Sequence, residues 1–425
     1  MKKQGLTLLL IITMIVGILS GCSTNKTDKD KKDNKNTNET SQTQKAGETA
    51  DLEDTDNATE QKDSESADSD SSQEDAEIVD SEAGDTITII DHAGNEVEVP
   101  RVINRIVNTD VFPFASVLSV FLGSAEKLIG IHPASMSAAT SGLLTEIFPE
   151  IVNANTTFME GGNLNIEALL ELEPDVVFYN AGSVEQGDMI RNAGLTAVGI
   201  SATKWDYDIL TTYDQWIATL SQMFPDSDIS NEISNYSIEI YDNIQKVVSG
   251  IEASEKKKIL FLFKYDDTQM ITSGKNFFGQ FWCESVGGIN VAEEVKADNS
   301  NAVINMEQVY EWNPDIIFIT NFTPTQPEDL YNNAIAGDDW SSINAVKNHE
   351  VYKLPLGTYR SYTPSTDTPV VLLWMAQKVY PQLFKDIDII EEVKDYYSGH
   401  YGIALTEDQI DRMYNPTRAA AKAID

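Results

Sequence analysis

Cysteine is nearly absent from this chain of 425 residues. Its two copies, Cys22 and Cys283, are too few for a disulfide scaffold or a Cys-rich zinc module. The four histidines are dispersed, which argues against the three- or four-ligand sets that hold zinc. Basic side chains are scarce as well: 30 Lys and Arg face 68 Asp and Glu, a formal net charge of −38. Contact with a phosphate backbone is driven by clustered Lys and Arg, so no nucleic-acid partner is expected. A Gly-x-Ser-x-Gly elbow, a His-Glu-x-x-His pair and a Walker A loop are all missing. Acidic residues are too numerous for a catalytic carboxylate pair to be dismissed by counting, so an extracellular hydrolase stays as one alternative.

What is present begins with a leader. Lys2 and Lys3 precede a mostly apolar run from Leu6 to Leu19, too short for a membrane span and right for a signal peptide over residues 1–21. The run ends in Leu19-Ser20-Gly21-Cys22, which resembles the bacterial lipobox, in which the cysteine is acylated and becomes the mature N-terminus. Several acyl chains, at ~0.8 kcal/mol per buried CH₂, would anchor Cys22 on the outer face of the cell membrane. Residues 23–84 contain no Phe, Trp or Tyr and carry 7 basic against 19 acidic side chains, a net of −12. Such a stretch cannot bury enough apolar surface to order itself, so 22–85 is expected to be an anchor followed by a disordered tether, spanning roughly 40 to 50 Å.

Order is expected from Thr86. Thr86 to Ile90 and Glu96 to Pro100 flank a turn containing Gly94, the pattern of a hairpin. Short β-rich runs at 105–108, 128–131, 175–179 and 196–200 then alternate with helical patterns at 113–122, 166–172 and 184–193. This alternation predicts an α/β architecture with a mainly parallel sheet. Apolar residues from Trp205 to Met223 recur at helical spacing, and a second such segment runs from Ser230 to Ile251, about 33 Å at 1.5 Å per residue, with Asp228 and Ser230 as candidate caps. It is long enough to cross between two lobes.

The pattern restarts at Lys258 and repeats itself. Residues 165–178 (NIEALLELEPDVVF) align with 305–318 (NMEQVYEWNPDIIF) at a constant offset of 140, with six of fourteen positions identical. Each half therefore holds the same unit, a short helix stopped by Pro-Asp and followed by a buried strand. The expected fold is two similar α/β lobes with mainly parallel sheets, residues 86–204 and 253–425, joined by a helical region at 205–252. Ser398-Gly399 is expected to interrupt the last helical stretch, and the tail is expected to be disordered from Asn415.

The hairpin, the Arg105-Ile106-Val107 strand, the doubled Pro-Asp unit, Trp340 to Pro355 and Leu373 to Asp388, together with the lipobox, resemble the iron-complex and cobalamin class of solute-binding lipoproteins of ABC importers. The resemblance covers roughly residues 86–415, with the family's binding domain at about 104–391. It implies a helical-backbone periplasmic binding protein: two lobes joined by a rigid helix, a ligand in the cleft, and one glutamate per lobe docking to arginines of the permease. The matching glutamates are Glu167 and Glu307. A carboxylate takes arginine bidentately, and a symmetric pair sets orientation on a two-fold permease; first-turn glutamates are also favoured by the helix dipole alone.

Cleft residues should come from loops after strands. The first lobe offers Asp110, Phe112, His132, Met159 and Asn180, and the second Tyr265, Lys275, Phe278, Asn321, Tyr359, Arg360 and Tyr362. Aromatic rings would stack on a macrocycle or catecholate, and Arg360 or Lys275 could pair with an anionic chelate. Cys283 reads as a small buried hydrophobe. The resemblance thus implies a monomeric, non-enzymatic, membrane-anchored receptor without a cofactor, delivering an iron complex, foremost a ferric siderophore, to a permease and its ATPase. Haem or cobalamin, a free zinc or manganese ion, and a surface sensor or interaction module are the other readings.

Overall fold

The computed structural model describes residues 85–225, 232–297 and 302–421. The expected signal peptide, Cys22 and the tether to residue 84 lie outside the described residues, as do the candidate caps Asp228 and Ser230. Order opens on the expected hairpin: β1 (Thr86–Ile90) pairs antiparallel with β2 (Glu96–Pro100). Asp91 closes the turn by accepting from the N–H groups of Ala93 and Asn95, while Gly94 takes a φ of 86° that a side chain would resist.

The first lobe runs through β3 (Ile106–Asn108), α1 (Phe114–Leu122), β4 (Leu128–Ile131), α2 (Pro133–Ser141), α3 (Leu144–Ile147), a two-residue pair β5 (Met159–Glu160) and β6 (Asn163–Leu164), α4 (Ile166–Glu171), β7 (Val176–Asn180), α5 (Val184–Asn192) and β8 (Ala197–Ile200). Its sheet has the order β4-β3-β7-β8, all parallel. Helices cover both faces, which is why these strands read as continuous apolar runs rather than alternating ones.

Two helices then cross to the second lobe. α6 (Ile209–Met223) is capped by Asp208, whose side chain accepts from Thr211 N–H, and α7 (Glu232–Val248) follows, about 25 Å long at 1.5 Å per residue. Along α7, Ile233 belongs to the core of the first lobe, whereas Ile240, Ile244 and Val248 belong to that of the second. α6 makes the complementary crossing: Ile209 is packed in the second core and Tyr213, Trp216, Ile217, Leu220 and Met223 in the first.

The second lobe comprises β9 (Lys258–Tyr265), β10 (Met270–Thr272), α8 (Phe278–Ser285), β11 (Ile289–Asn290), α9 (Met306–Trp312), β12 (Ile316–Ile319), α10 (Pro327–Tyr331), α11 (Asn344–Lys347), β13 (Val351–Lys353), α12 (Thr368–Val379), α13 (Ile389–Tyr401) and α14 (Glu407–Tyr414). Its sheet follows β10-β9-β12-β13, with β11 also on β9, and is parallel except for β10. Contrary to expectation, α13 runs through Ser398-Gly399 and stops at Gly402, whose φ is 66°. Tyr396 and Tyr397 are buried and Tyr401 packs beside them, so tertiary contacts hold the helix across its glycine. The chain past Asn415 is likewise ordered as far as residue 421, where Arg418 pairs with Asp329 at 2.8 Å.

The repeated unit has the same local chemistry twice. Asn165 and Asn305 each cap their helix by accepting from the N–H three residues on, both at 3.1 Å. Glu173 and Asn313 leave it with φ of 44° and 43°. Asp175 Oδ2 then accepts from the N–H groups of Asn104 and Arg105, and Asp315 Oδ2 from that of Lys258. In return the side chains of Arg105 and Lys258 donate to carbonyls at the C-terminal ends of α4 and α9. The Pro-Asp step is thus more than a stop signal, since it ties the start of β3 or β9 to its neighbour.

Candidate functional site

Each sheet reverses its winding once. β3 has β4 on one side and β7 on the other, and β9 has β10 and β11 on one side and β12 on the other. Reversal opens a crevice beyond the carboxyl ends of the two central strands, because the connections on either side run to opposite faces. Those ends supply Asp110 and Asn180 from the first lobe and Phe263, Lys264 and Phe322 from the second. Between the lobes they enclose a cavity of about 350 Å³, completed by Val111, Phe112, Pro113, Ala202, Phe277, Phe278, Tyr359 and Thr363.

The two walls differ. Five of the six aromatic linings, Phe263, Phe277, Phe278, Phe322 and Tyr359, come from the second lobe, and Phe112 alone from the first. The second wall is braced from behind by Tyr362, whose ring packs 5.3 to 5.5 Å from those of Phe277 and Phe263 and whose hydroxyl donates to Ser273 Oγ at 2.6 Å. The first wall carries the acid: Asp110 Oδ1 accepts from the Asn180 N–H at 2.8 Å and from the Thr109 hydroxyl at 2.9 Å. Phe112 leans on His132, with ring centroids 4.7 Å apart.

Two buried ionic groups shape the loops of the second wall. Lys353, 6% exposed, donates to the carbonyls of Thr320, Thr323 and Thr325 at 2.6 to 2.8 Å and so fixes the loop that presents Phe322. Burial draws its pKa down to about 7, yet three carbonyl acceptors use all three protons of an ammonium. Asp367 accepts from the N–H and the hydroxyl of Thr358, both at 2.8 Å, and from the Tyr397 hydroxyl, holding the turn before Tyr359. Burial raises the Asp367 pKa. A Cβ on Gly357 would lie 2.5 Å from that carboxylate, so this turn needs glycine. Burial also lifts the Tyr359 hydroxyl to about 12, which keeps it protonated.

Of the residues singled out from the sequence, Asp110, Phe112, Asn180, Phe278 and Tyr359 line the cavity, and the others do not. His132 sits behind Phe112 and caps α2, its Nδ1 accepting from Ala134 N–H, with burial lowering its pKa. Met159 is packed with Val107, Phe158 and Leu169 in the first lobe's interior. Tyr265 is turned into the opposite core, donating to Asp338 and accepting from Trp340 Nε1. Lys275 lies on another surface, 3.4 Å from Glu293. Asn321 stitches its loop to the carbonyls of Leu354 and Pro355. Arg360 is 1% exposed, with its guanidinium 5.1 Å from the Phe322 ring centroid and 6.0 Å from that of Tyr359. Arg360 and Tyr362 support the wall rather than form its surface.

Phe277 and Phe322 also line the cavity, in the loops 276–278 and 321–322 that the sequence offers for the cleft, whereas the sequence reads Phe263 as strand and does not nominate Lys264. Position at the end of a central strand was the available signal. Cys283 is fully buried and its thiol pKa is raised by that burial. Among the described residues no group of three or more His, Cys, Asp or Glu side chains is placed to hold a metal ion, and no helix is long and apolar enough to cross a membrane.

Glu167 and Glu307 occupy the first turns of α4 and α9, both exposed. One turn further on, the matching Leu170 and Tyr310 are also exposed, 41% and 43%.

Comparison with known proteins agrees with this architecture. The periplasmic binding protein family is matched over residues 120–356. The molybdate-binding protein MolA of Haemophilus influenzae is 24% identical over 345 residues, 76% of this chain and 93% of that protein. An iron-uptake system-binding protein of Bacillus subtilis is 24% identical over 235 residues, 53% of this chain and 69% of that one. The crystal structure of a periplasmic solute-binding protein from Veillonella parvula superposes with a TM-score of 0.69 at 28% identity, covering 78% of this chain and 97% of that structure. With a match to more than half of its length, and with the cleft where two wound sheets place it, the chain belongs to the periplasmic binding protein family and is a solute-binding protein of the ABC-transporter kind.

Proposed function

We propose that this chain is a receptor anchored through acylated Cys22 on the outer face of the cell membrane, where it captures an iron complex, a ferric siderophore, and delivers it to an ABC permease. The observation that carries the reading is the cavity wall: six aromatic side chains around about 350 Å³. Rings of this kind bury and stack on the organic shell of a chelate. A bare cation would want converging oxygen or nitrogen ligands, and a small oxyanion such as the molybdate of the Haemophilus relative would want converging donors, whereas the only charged side chains in the lining are Asp110 and Lys264. The Bacillus relative, named for iron uptake, favours the same ligand class.

Docking falls to Glu167 and Glu307, exposed at equivalent positions of the two lobes, where each can take a permease arginine. The test of the ligand class is titration of the full chain, followed by tryptophan fluorescence, with ferric siderophores, haem, cobalamin and free divalent metals. Saturable binding of a ferric siderophore is expected. Saturation by a free divalent ion alone overturns the reading.

A further inference from the structure

We infer that the chelate taken by this cleft is close to electrically neutral, with a cationic or hydrogen-bond-donating group held at Asp110, and is not a multiply charged anion. The inference deepens the iron-complex reading and rests on it. The lining holds one charge of each sign, Asp110 on the first wall and Lys264 on the second, so its own net charge is zero. Neither is in an ion pair among the described residues, so both charges are available to the cleft. Asp110 is fixed by the Asn180 N–H and the Thr109 hydroxyl on Oδ1, and an ionised carboxylate has further acceptor capacity to offer a ligand.

A ligand bearing several negative charges would meet this carboxylate beside a wall of aromatic rings, which screen like charge less well than water does. The nearby cation Arg360 gives little relief. It is 1% exposed and lies behind Phe322 and Tyr359, so those rings stand between a ligand and its guanidinium. The surrounding body is acidic: residues 85–425 carry 21 basic and 49 acidic side chains, a net of −28. That field opposes entry of an anion and favours a neutral or cationic complex.

The contrast is available between two ferric chelates of opposite character. A linear trihydroxamate with a free amine forms a complex of charge +1, since three hydroxamates cancel Fe(III) and the ammonium remains. Three doubly deprotonated catecholates leave a charge of −3. Isothermal titration of the full chain with each should show the trihydroxamate binding at least tenfold tighter. Asp110→Asn keeps an oxygen to accept from the Asn180 N–H, and it should shrink that preference about tenfold while the ligand-free melting temperature holds. Lys264→Gln, on the other wall, should move the preference in the opposite direction by weakening the anionic complex. Equal or tighter binding of the tris-catecholate, or a preference unmoved by both substitutions, overturns the inference and leaves the iron-complex reading standing. If neither ferric complex binds, both fall together.

Discussion

His92 shows how a single side chain sets a pH limit. Its Nδ1 accepts from the Ser201 N–H at 3.0 Å, so the ring proton sits on Nε2 and is donated to Thr219 Oγ1 at 2.9 Å, whose own proton goes to the Gln215 carbonyl. Protonating Nδ1 would set two donors against each other. Burial, and after it the positive charge of Lys204, lower the pKa from 6.5 to about 4. Between those values the unfolded chain binds a proton that the folded chain refuses, so stability falls as pH drops from about 6.5 towards 4, by up to about 3 kcal/mol. Urea midpoints measured at pH 7.5 and 4.5 should therefore differ less in His92→Gln than in the parent. The residue scale also holds an inexpensive improvement: Glu173 adopts a φ of 44° where its repeat partner is Asn313. Glu173→Asn, read by thermal melting, should raise stability by about 0.5–1 kcal/mol, because asparagine tolerates the left-handed region. Neither effect could be foreseen from residue type. His92 stood visibly in a hairpin turn, but its partners are more than a hundred residues away.

Elements were the most legible scale, and the reason is periodicity. The strands of both sheets are buried on two faces and announce themselves as short apolar runs, while α6 and α7 carry apolar stripes at helical spacing. What periodicity does not encode is which loop faces the cavity. Tyr265 and Lys264 are neighbours at the end of β9, yet Tyr265 joins Leu260 and Leu262 in the interior while Phe263 and Lys264 both line the cleft, because the pairing of β9 with β10 skips Phe263 and this irregularity breaks the alternation of the strand. The Thr320–Thr325 loop depends on a side chain from another element, Lys353 at the end of β13. Lys353→Met would leave three carbonyls without their donor, at a cost of about 2–3 kcal/mol or more. Since Phe322 rides on that loop, ligand affinity should fall together with the melting temperature. A loss of stability with unchanged affinity would show that Phe322 does not contact the ligand.

For the whole molecule, the doubled unit matters more than any one site. Each lobe presents a glutamate with an exposed Leu170 or Tyr310 one turn on, and under the proposed function this matched pair would meet a partner that is itself two-fold. Reversing both Glu167 and Glu307 to Lys should stop uptake by cells while leaving solution affinity for the ligand intact; undiminished transport would remove the docking role. The wound sheets of the two lobes were readable from the alternation of elements and from the 140-residue offset. The unequal walls of the cleft were not, because the repeat does not extend to the loops that line it. The crossing helices have a final consequence. Ile209 and Ile233 each lodge at one end of a helix whose other buried hydrophobic residues belong to the opposite core. Pulling the lobes apart would strip both ends of their packing, so neither lobe can melt and leave its neighbour native. Heat should take the described body apart in a single cooperative step, and a bound ligand should move that step as a whole rather than split it.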